Sequence, residues 1–133
     1  MRVHMKYAYP EQGTGNGRIY PQEVLEKAFN DPAFKEVCMN TELPIVSEDN
    51  HWIGIGTAKL EAGRVVTIDG EISHPTYIKL LSDYKDSTAF TLYGTGAVEY
   101  TDDKAVVTDV KFISAMFTPK PAIDIIDKEF CEE

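Results

Sequence analysis

The sequence predicts an α+β domain that is mainly β: a small curved or closed antiparallel β-barrel with two to three peripheral helices. Three observations carry this. Alternating apolar and polar segments outnumber helical ones, and short turns join most of them. Paired glycines, Gly54 with Gly56 and Gly94 with Gly96, fall inside strand-like runs, where barrel corners and bulges use glycine.

Arg2 to Tyr9 sets Val3, Met5 and Tyr7 against His4, Lys6 and Ala8, the period of a strand. His4 reads as a polar-face residue of an edge strand. Pro10 to Gly17 is a polar, glycine-rich loop feeding a helix. Pro21 suits the first helical position, because its ring presets φ and its missing N–H has no intrahelical partner there. Glu23 lies in the first turn, where the helix dipole favours a carboxylate. Val24, Leu25, Ala28 and Phe29 form the apolar face, and Asn30-Asp31-Pro32 ends the helix.

After a polar connection, Trp52 to Leu60 places Ile53 and Ile55 on one side and Gly54 and Gly56 on the other. It turns through Glu61-Ala62-Gly63 and returns as Val65 to Ile72, with Val66, Ile68 and Ile72 on one face: a hairpin. A second helix starts at Pro75, capped by Ser73 or His74, and presents Tyr77, Ile78, Leu81 and Tyr84. Ala89 to Tyr93 then leads through Gly94-Thr95-Gly96 into Ala97 to Tyr100. Thr101-Asp102-Asp103-Lys104 turns the chain into Ala105 to Ser114, where Val106, Val110 and Phe112 share a face. Pro119 and Pro121 stop that strand, and a short amphipathic helix with Ile123, Ile126 and Phe130 closes the domain. The expected core includes Ile53, Ile55, Val66, Ile68, Val110 and Phe112.

The 133 residues suit one domain, 1–133, with no repeat or linker. Cys38 and Cys131 form neither a CxxC nor a Cys/His cluster, so no metal site or disulfide framework is expected and both read as buried or idle thiols. No apolar run approaches the roughly 20 residues of a membrane span, and residues 1–6 lack a signal peptide's apolar core; a soluble protein made in a reducing cytoplasm is expected. Net charge is −9, from 13 basic and 22 acidic residues, which offers no basic stripe for nucleic-acid phosphates. An acidic surface serves solubility and equally suits docking onto a basic protein surface.

The run Asn16-Gly17-Arg18-Ile19-Tyr20-Pro21, followed by Gln22-Glu23-Val24-Leu25-Glu26-Lys27-Ala28, resembles the opening of the prohead proteases of large tailed bacteriophages, in which an Asn-Gly-Arg-x-Tyr-Pro run precedes a helix. Later segments are similar in order: Ile53-Gly54-Ile55-Gly56 to Ile72 resembles the family's hairpin, Phe90 to Gly96 its nucleophile segment, and Val106 to Pro121 the strand that ends in a Thr/Asp-Pro motif. The resemblance implies the fold of the herpesvirus assemblin proteases, a small β-barrel ringed by helices.

A serine protease of this type needs a hydroxyl nucleophile, a histidine base, a group orienting that base, and oxyanion donors. The resemblance puts the nucleophile position on Thr91 or Leu92 and the histidine position, in Thr41-Glu42-Leu43-Pro44-Ile45-Val46, on Ile45. His51 could take the base position if the loop alignment slips, Thr91 could attack, and Asp109 could orient the base. The plainer readings are a surface-loop histidine, a threonine kept for β-propensity, a solvent-facing aspartate, and His74 as a neighbour of the helix start. Gly94-Thr95-Gly96 lacks the following Lys-Ser/Thr of a phosphate loop.

The resemblance therefore implies a protease-like domain without its catalytic residues: a phage virion structural protein, an auxiliary or decoration protein on the capsid, made in the host cytoplasm. Its partners are then the capsid protein or other head proteins, with self-association open and no cofactor, nucleic acid or membrane involved. Arg18 is expected to pair with a carboxylate, or alternatively to contact a substrate or a neighbouring capsid chain, and Tyr20 to pack on the barrel. The rivals are an active maturation protease using Thr91, His51 and Asp109, and a scaffold- or portal-associated procapsid assembly factor.

Overall fold

The computed structural model describes residues 1–10, 13, 17–62, 64–84, 86–118 and 124–131. Along them run β1 (Arg2–Ala8), β2 (Arg18–Ile19), α1 (Gln22–Phe29), α2 (Pro32–Met39), β3 (Leu43–Val46), β4 (Trp52–Leu60), β5 (Val65–Ile72), α3 (Pro75–Tyr84), β6 (Ala89–Thr101), β7 (Lys104–Thr118) and β8 (Asp124–Cys131). The strands form a single sheet in the order β7-β3-β4-β5-β1-β8. Strand β6 lies along the whole of β7, and β2 joins β7 near its start. β2 and β3 run parallel to β7; every other pair is antiparallel.

The sheet curls into a half-barrel, and side chains close much of the gap between its end strands, β6 and β8. Lys128 Nζ donates to the Thr88 carbonyl (3.0 Å), and the Phe90 and Phe130 rings meet edge to face at 5.9 Å. The Tyr7 hydroxyl crosses the interior to accept the Leu92 N–H at 3.0 Å. Met5 opposite Ile68 and Tyr7 opposite Val66 fill the middle, all four fully buried. Each such aliphatic side chain contributes about 1.5–3 kcal/mol by leaving water.

The tight curl explains the glycines. A Cβ on Gly54 or Gly56 would collide with the carbonyl oxygens of Glu71 and Asp69, and a Cβ on Gly70 would meet the Ile45 side chain, which occupies that hollow. Gly94 and Gly96 stand equally close to the Lys111 and Asp109 carbonyls, so the segment between Tyr93 and Ala97 is one continuous strand rather than a connection. The turn after it places Asp102 and Asp103 at φ 50° and 63°, a conformation that short polar side chains tolerate.

Outside the curl, α1 and α2 cover β4 and β7. Their rings gather in one place: Phe29, Phe34 and Phe112 pack pairwise at 5.3–5.8 Å between centroids. Pro21 is the N-cap, one position earlier than the sequence suggests, and its carbonyl accepts the Val24 and Leu25 N–H groups. Helix α2 is an unexpected element. Asp31-Pro32 ends one helix and also starts the next, because the Asp31 carboxylate accepts the Ala33 N–H and Pro32 sits in the first turn.

Four further expectations need correction. The closing helix through Ile126 and Phe130 is strand β8; half-buried Lys128 and Phe130 alternate with exposed Asp127 and Glu129, and the strand completes β1. Ile123 lies outside the described residues. His4 is consequently not on an edge strand: its Nδ1 is 2.6 Å from Asp69 Oδ1 on β5, and its Nε2 is 3.7 Å from Asp127 Oδ2 on β8. Ile55 is exposed rather than core, because a bulge at Ile53 shifts the phase of β4. A second bulge, at Thr108, puts Val107 instead of Val106 on the buried face with Val110 and Phe112. Ile53, Val66 and Ile68 are buried as expected.

Candidate functional site

Strands β6, β7, β3 and β4 lie side by side, and their register defines two rows of residues. Leu92, Ala115, Ile45 and Gly54 are in line across the four strands; one step along, Thr91, Met116, Val46 and Trp52 are in line. Successive side chains on a strand point to opposite faces, so the two rows belong to opposite sides of the sheet. The first faces the interior, with Ile45 and Ala115 fully buried and Leu92 nearly so. The second points the other way and is unevenly covered: Val46 is buried, Thr91 and Met116 are half-buried, and Trp52 is exposed.

The candidate catalytic residues are distributed accordingly. Ile45 and Leu92 are sealed in the core. Thr91 is on the outer row, and His51, adjoining Trp52, is about three strand spacings away, roughly 14 Å. Asp109, exposed and paired with Ala97, lies seven positions down β7 from Met116, the residue opposite Thr91, or roughly 20 Å along the strand. The register brings no two of Thr91, His51 and Asp109 within hydrogen-bond reach. His51 sits in a turn where its N–H donates to Ser47 Oγ (3.1 Å) and its carbonyl accepts the Ser47 N–H (2.9 Å). His74 accepts the Tyr77 and Ile78 N–H groups through its carbonyl, and its ring packs edge-on against Tyr77.

Of the Asn-Gly-Arg-Ile-Tyr-Pro segment, Asn16 is outside the described residues. Gly17 adopts φ 80°, which favours glycine. Exposed Arg18 and half-buried Ile19 pair with Ala105 and Val106, the Tyr20 ring packs 4.7 Å from Tyr9, and the Arg64 guanidinium donates to the Tyr20 carbonyl. The segment thus splices the loop onto β7 and aims α1. Cys38 and Cys131 are half-buried thiols outside any disulfide; Cys131 Sγ donates to Glu129 Oε1 (3.4 Å), and burial pushes the Cys38 thiol up. Among the described residues no group of His, Cys, Asp and Glu is arranged to hold a metal, and no helix is long and apolar enough to cross a membrane.

The fold is similar to that of a phage capsid assembly protease. The solved structure of the bacteriophage T4 capsid assembly protease, gp21, superposes with a TM-score of 0.58, covering 94% of this chain and 96% of that one at 15% identity. No family model matches the chain, and no curated protein matches it by sequence. The likeness to gp21 is therefore one of fold, spanning nearly the whole length of both chains.

The outer face offers an opening that sequence reasoning missed. Beside helix α2 lies a groove of about 630 Å³ walled by Phe34, Val37, Pro44, Trp52, Ile55 and Ile113. Trp52 is 64% exposed, yet its Nε1–H already donates to the Gly54 carbonyl at 2.6 Å. Ile55 and Ile113 are 44% and 53% exposed, and the rim carries Asp31, Glu42 and Lys111. A second groove, about 790 Å³ between α1, α2 and β4, is rimmed by Glu26, Lys35, Lys59 and Glu61. The signal for the first groove was Asp31-Pro32, a cap and helix start; without α2 it has no wall.

Proposed function

We propose that this chain is a tailed-phage head protein that acts by binding the capsid protein or other head proteins and does not cleave peptide bonds, in the manner of an auxiliary or decoration protein derived from a protease fold. The observation that carries the reading is the fold likeness to gp21, extending over 94% and 96% of the two chains. A protein that assembles with a shell needs surfaces rather than a triad, and a fold can retain its surfaces while its chemistry changes. Repeated contacts across a symmetric lattice add up even when each is weak.

Two features support the non-catalytic half of the reading. The register sets Thr91, His51 and Asp109 on or beside different strands, which supports their acting separately, and a threonine hydroxyl without a base is almost wholly protonated at neutral pH. The resemblance's alternative positions, Ile45 and Leu92, carry aliphatic side chains packed in the core.

The test combines composition and chemistry. Mass spectrometry of purified virions is expected to find the intact chain, while the purified protein neither cleaves phage capsid or scaffold proteins nor reacts with a fluorophosphonate probe. Presence in procapsids but not in virions would replace this reading with a transient assembly factor. Specific cleavage abolished by Thr91→Val or His51→Ala would overturn the non-catalytic reading and restore a maturation protease.

A further inference from the structure

We infer that the groove beside Trp52 docks an apolar segment of a partner protein that carries lysine or arginine, seating its apolar side chains among Trp52, Ile55 and Ile113 and its cation against Asp31 and Glu42. The inference rests on the reading above that the chain works by binding.

The apolar half of the argument comes from Trp52. An exposed tryptophan is often explained by an indole N–H that seeks water, but this one donates to Gly54 within its own strand. What remains exposed is ring area held in a fixed orientation, so a partner would lose little side-chain freedom in covering it. Ile55 and Ile113, also largely exposed, line the same depression instead of being scattered. Aromatic residues set in a concave apolar patch are what anchor binding interfaces, and about 630 Å³ is within the usual range of a pocket that takes up a few side chains.

The choice of occupant comes from charge. Asp31 and Glu42 stand on the rim against Lys111, and Glu48 and Asp49 are exposed in the turn that precedes Trp52. The Asp31 carboxylate accepts one bond, from Ala33 N–H at 3.3 Å, through one of its two oxygens. A second copy of this chain, with a net charge of −9, would bring the same carboxylates face to face across a two-fold axis. A cationic partner turns those charges into attraction. Lys111 favours one carboxylate within the segment, but the rim as a whole selects for positive charge.

Trp52 is the chain's single tryptophan, so its fluorescence reports this groove alone. The full chain is titrated with the peptide acetyl-Arg-Leu-Phe-Leu-Arg-amide and with its counterpart bearing glutamate in place of arginine. The cationic peptide is expected to move the emission saturably to shorter wavelength and the acidic one to leave it unchanged. Ile113→Gln should weaken binding about tenfold and Glu42→Gln about threefold, the latter loss vanishing at high salt. Ile55→Gln is the second variant if Ile113→Gln does not fold. No saturable shift, equal shifts with both peptides, or unchanged affinity in the folded variants would overturn the inference. Association with phage heads that survives Ile113→Gln would also overturn it while leaving the head-protein reading intact. Peptide binding at the groove without any head association would support the groove and remove the head-protein reading.

Discussion

Two rows of residues run across the same strands one position apart, and they have opposite fates. Ile45, Ala115 and Leu92 are locked inside the curl, where Ile45 fills the hollow left by Gly70 and the Leu92 N–H is bound to the Tyr7 hydroxyl. On the opposite side, Thr91 and Met116 are half-buried and Val46 is covered, and the row ends at exposed Trp52 beside an open groove. The contrast teaches that, in a two-residue period, a one-position slip exchanges core for surface. On these strands the exposed apolar residues, Trp52, Ile55 and Ile113, are not on the inner row, so a partner that covers apolar surface here meets the outer face.

The largest effect should come from placing a charge on the inner row. Ile45→Asp strands an unpaired carboxylate in the core and is expected to destabilise by more than about 4 kcal/mol, enough to unfold the domain or make it insoluble. A native-like denaturant melt for Ile45→Asp would erase the distinction between the rows.

An intermediate effect is expected from Tyr7→Phe, which keeps the packing but leaves the Leu92 N–H without its acceptor, at a cost of about 1–3 kcal/mol in the same melt. It also carries a pH signature. Burial pushes the Tyr7 phenol well above the ordinary tyrosine value of 10.0, and Tyr9 shifts in the same direction. The unfolded chain releases these protons near pH 10 while the folded one retains them, so stability is full below pH 10 and falls as pH rises beyond it. Tyr7→Phe should flatten that alkaline decline when melts are compared from pH 8 to 11; an unchanged slope would mean that the phenol is not sealed.

The smallest effects belong to the outer row. Thr91→Val and Trp52→Ala are each expected to change stability by no more than about 0.5–1 kcal/mol, since neither residue fills the core. A loss from either variant that matched Ile45→Asp would show that the outer row is structural after all.

How much of this was legible in the sequence follows from which elements are locally determined. The β4–β5 hairpin was read with its observed bounds, because a short turn joins two alternating strands. Helices α1 and α3 were announced by Pro21, Pro75 and their apolar faces. Strand β3 was not legible: it has four residues, includes Pro44, and is held between β4, which pairs with all four, and β7, some 70 positions away. Strand β8 was misread because Ile126 and Phe130, four apart, fit a helix face as readily as a strand, and only the open edge of β1 decides between them. The bulges at Ile53 and Thr108 hid the orientation of Ile55 and Val107. The groove required α2 and β3 together, so sequence reasoning that missed both could not have found it.

The position of β1 sets the order in which the molecule can be built. It lies between β5 and β8, with Arg2 opposite Glu71 on one side and Cys131 on the other. During synthesis its first edge can be matched once residue 72 has left the ribosome, but its second edge waits for residues 124–131. Until then Val3, Met5 and Tyr7 belong to an unfinished sheet whose backbone donors and acceptors on that side face water or another nascent chain. Closing a contact over so long a sequence separation is slow, on the order of milliseconds to seconds for β-rich domains. The β1–β8 ladder is therefore the step at which folding and aggregation compete, and yield at high expression should respond more to changes in β8 than to equally exposed changes in β6.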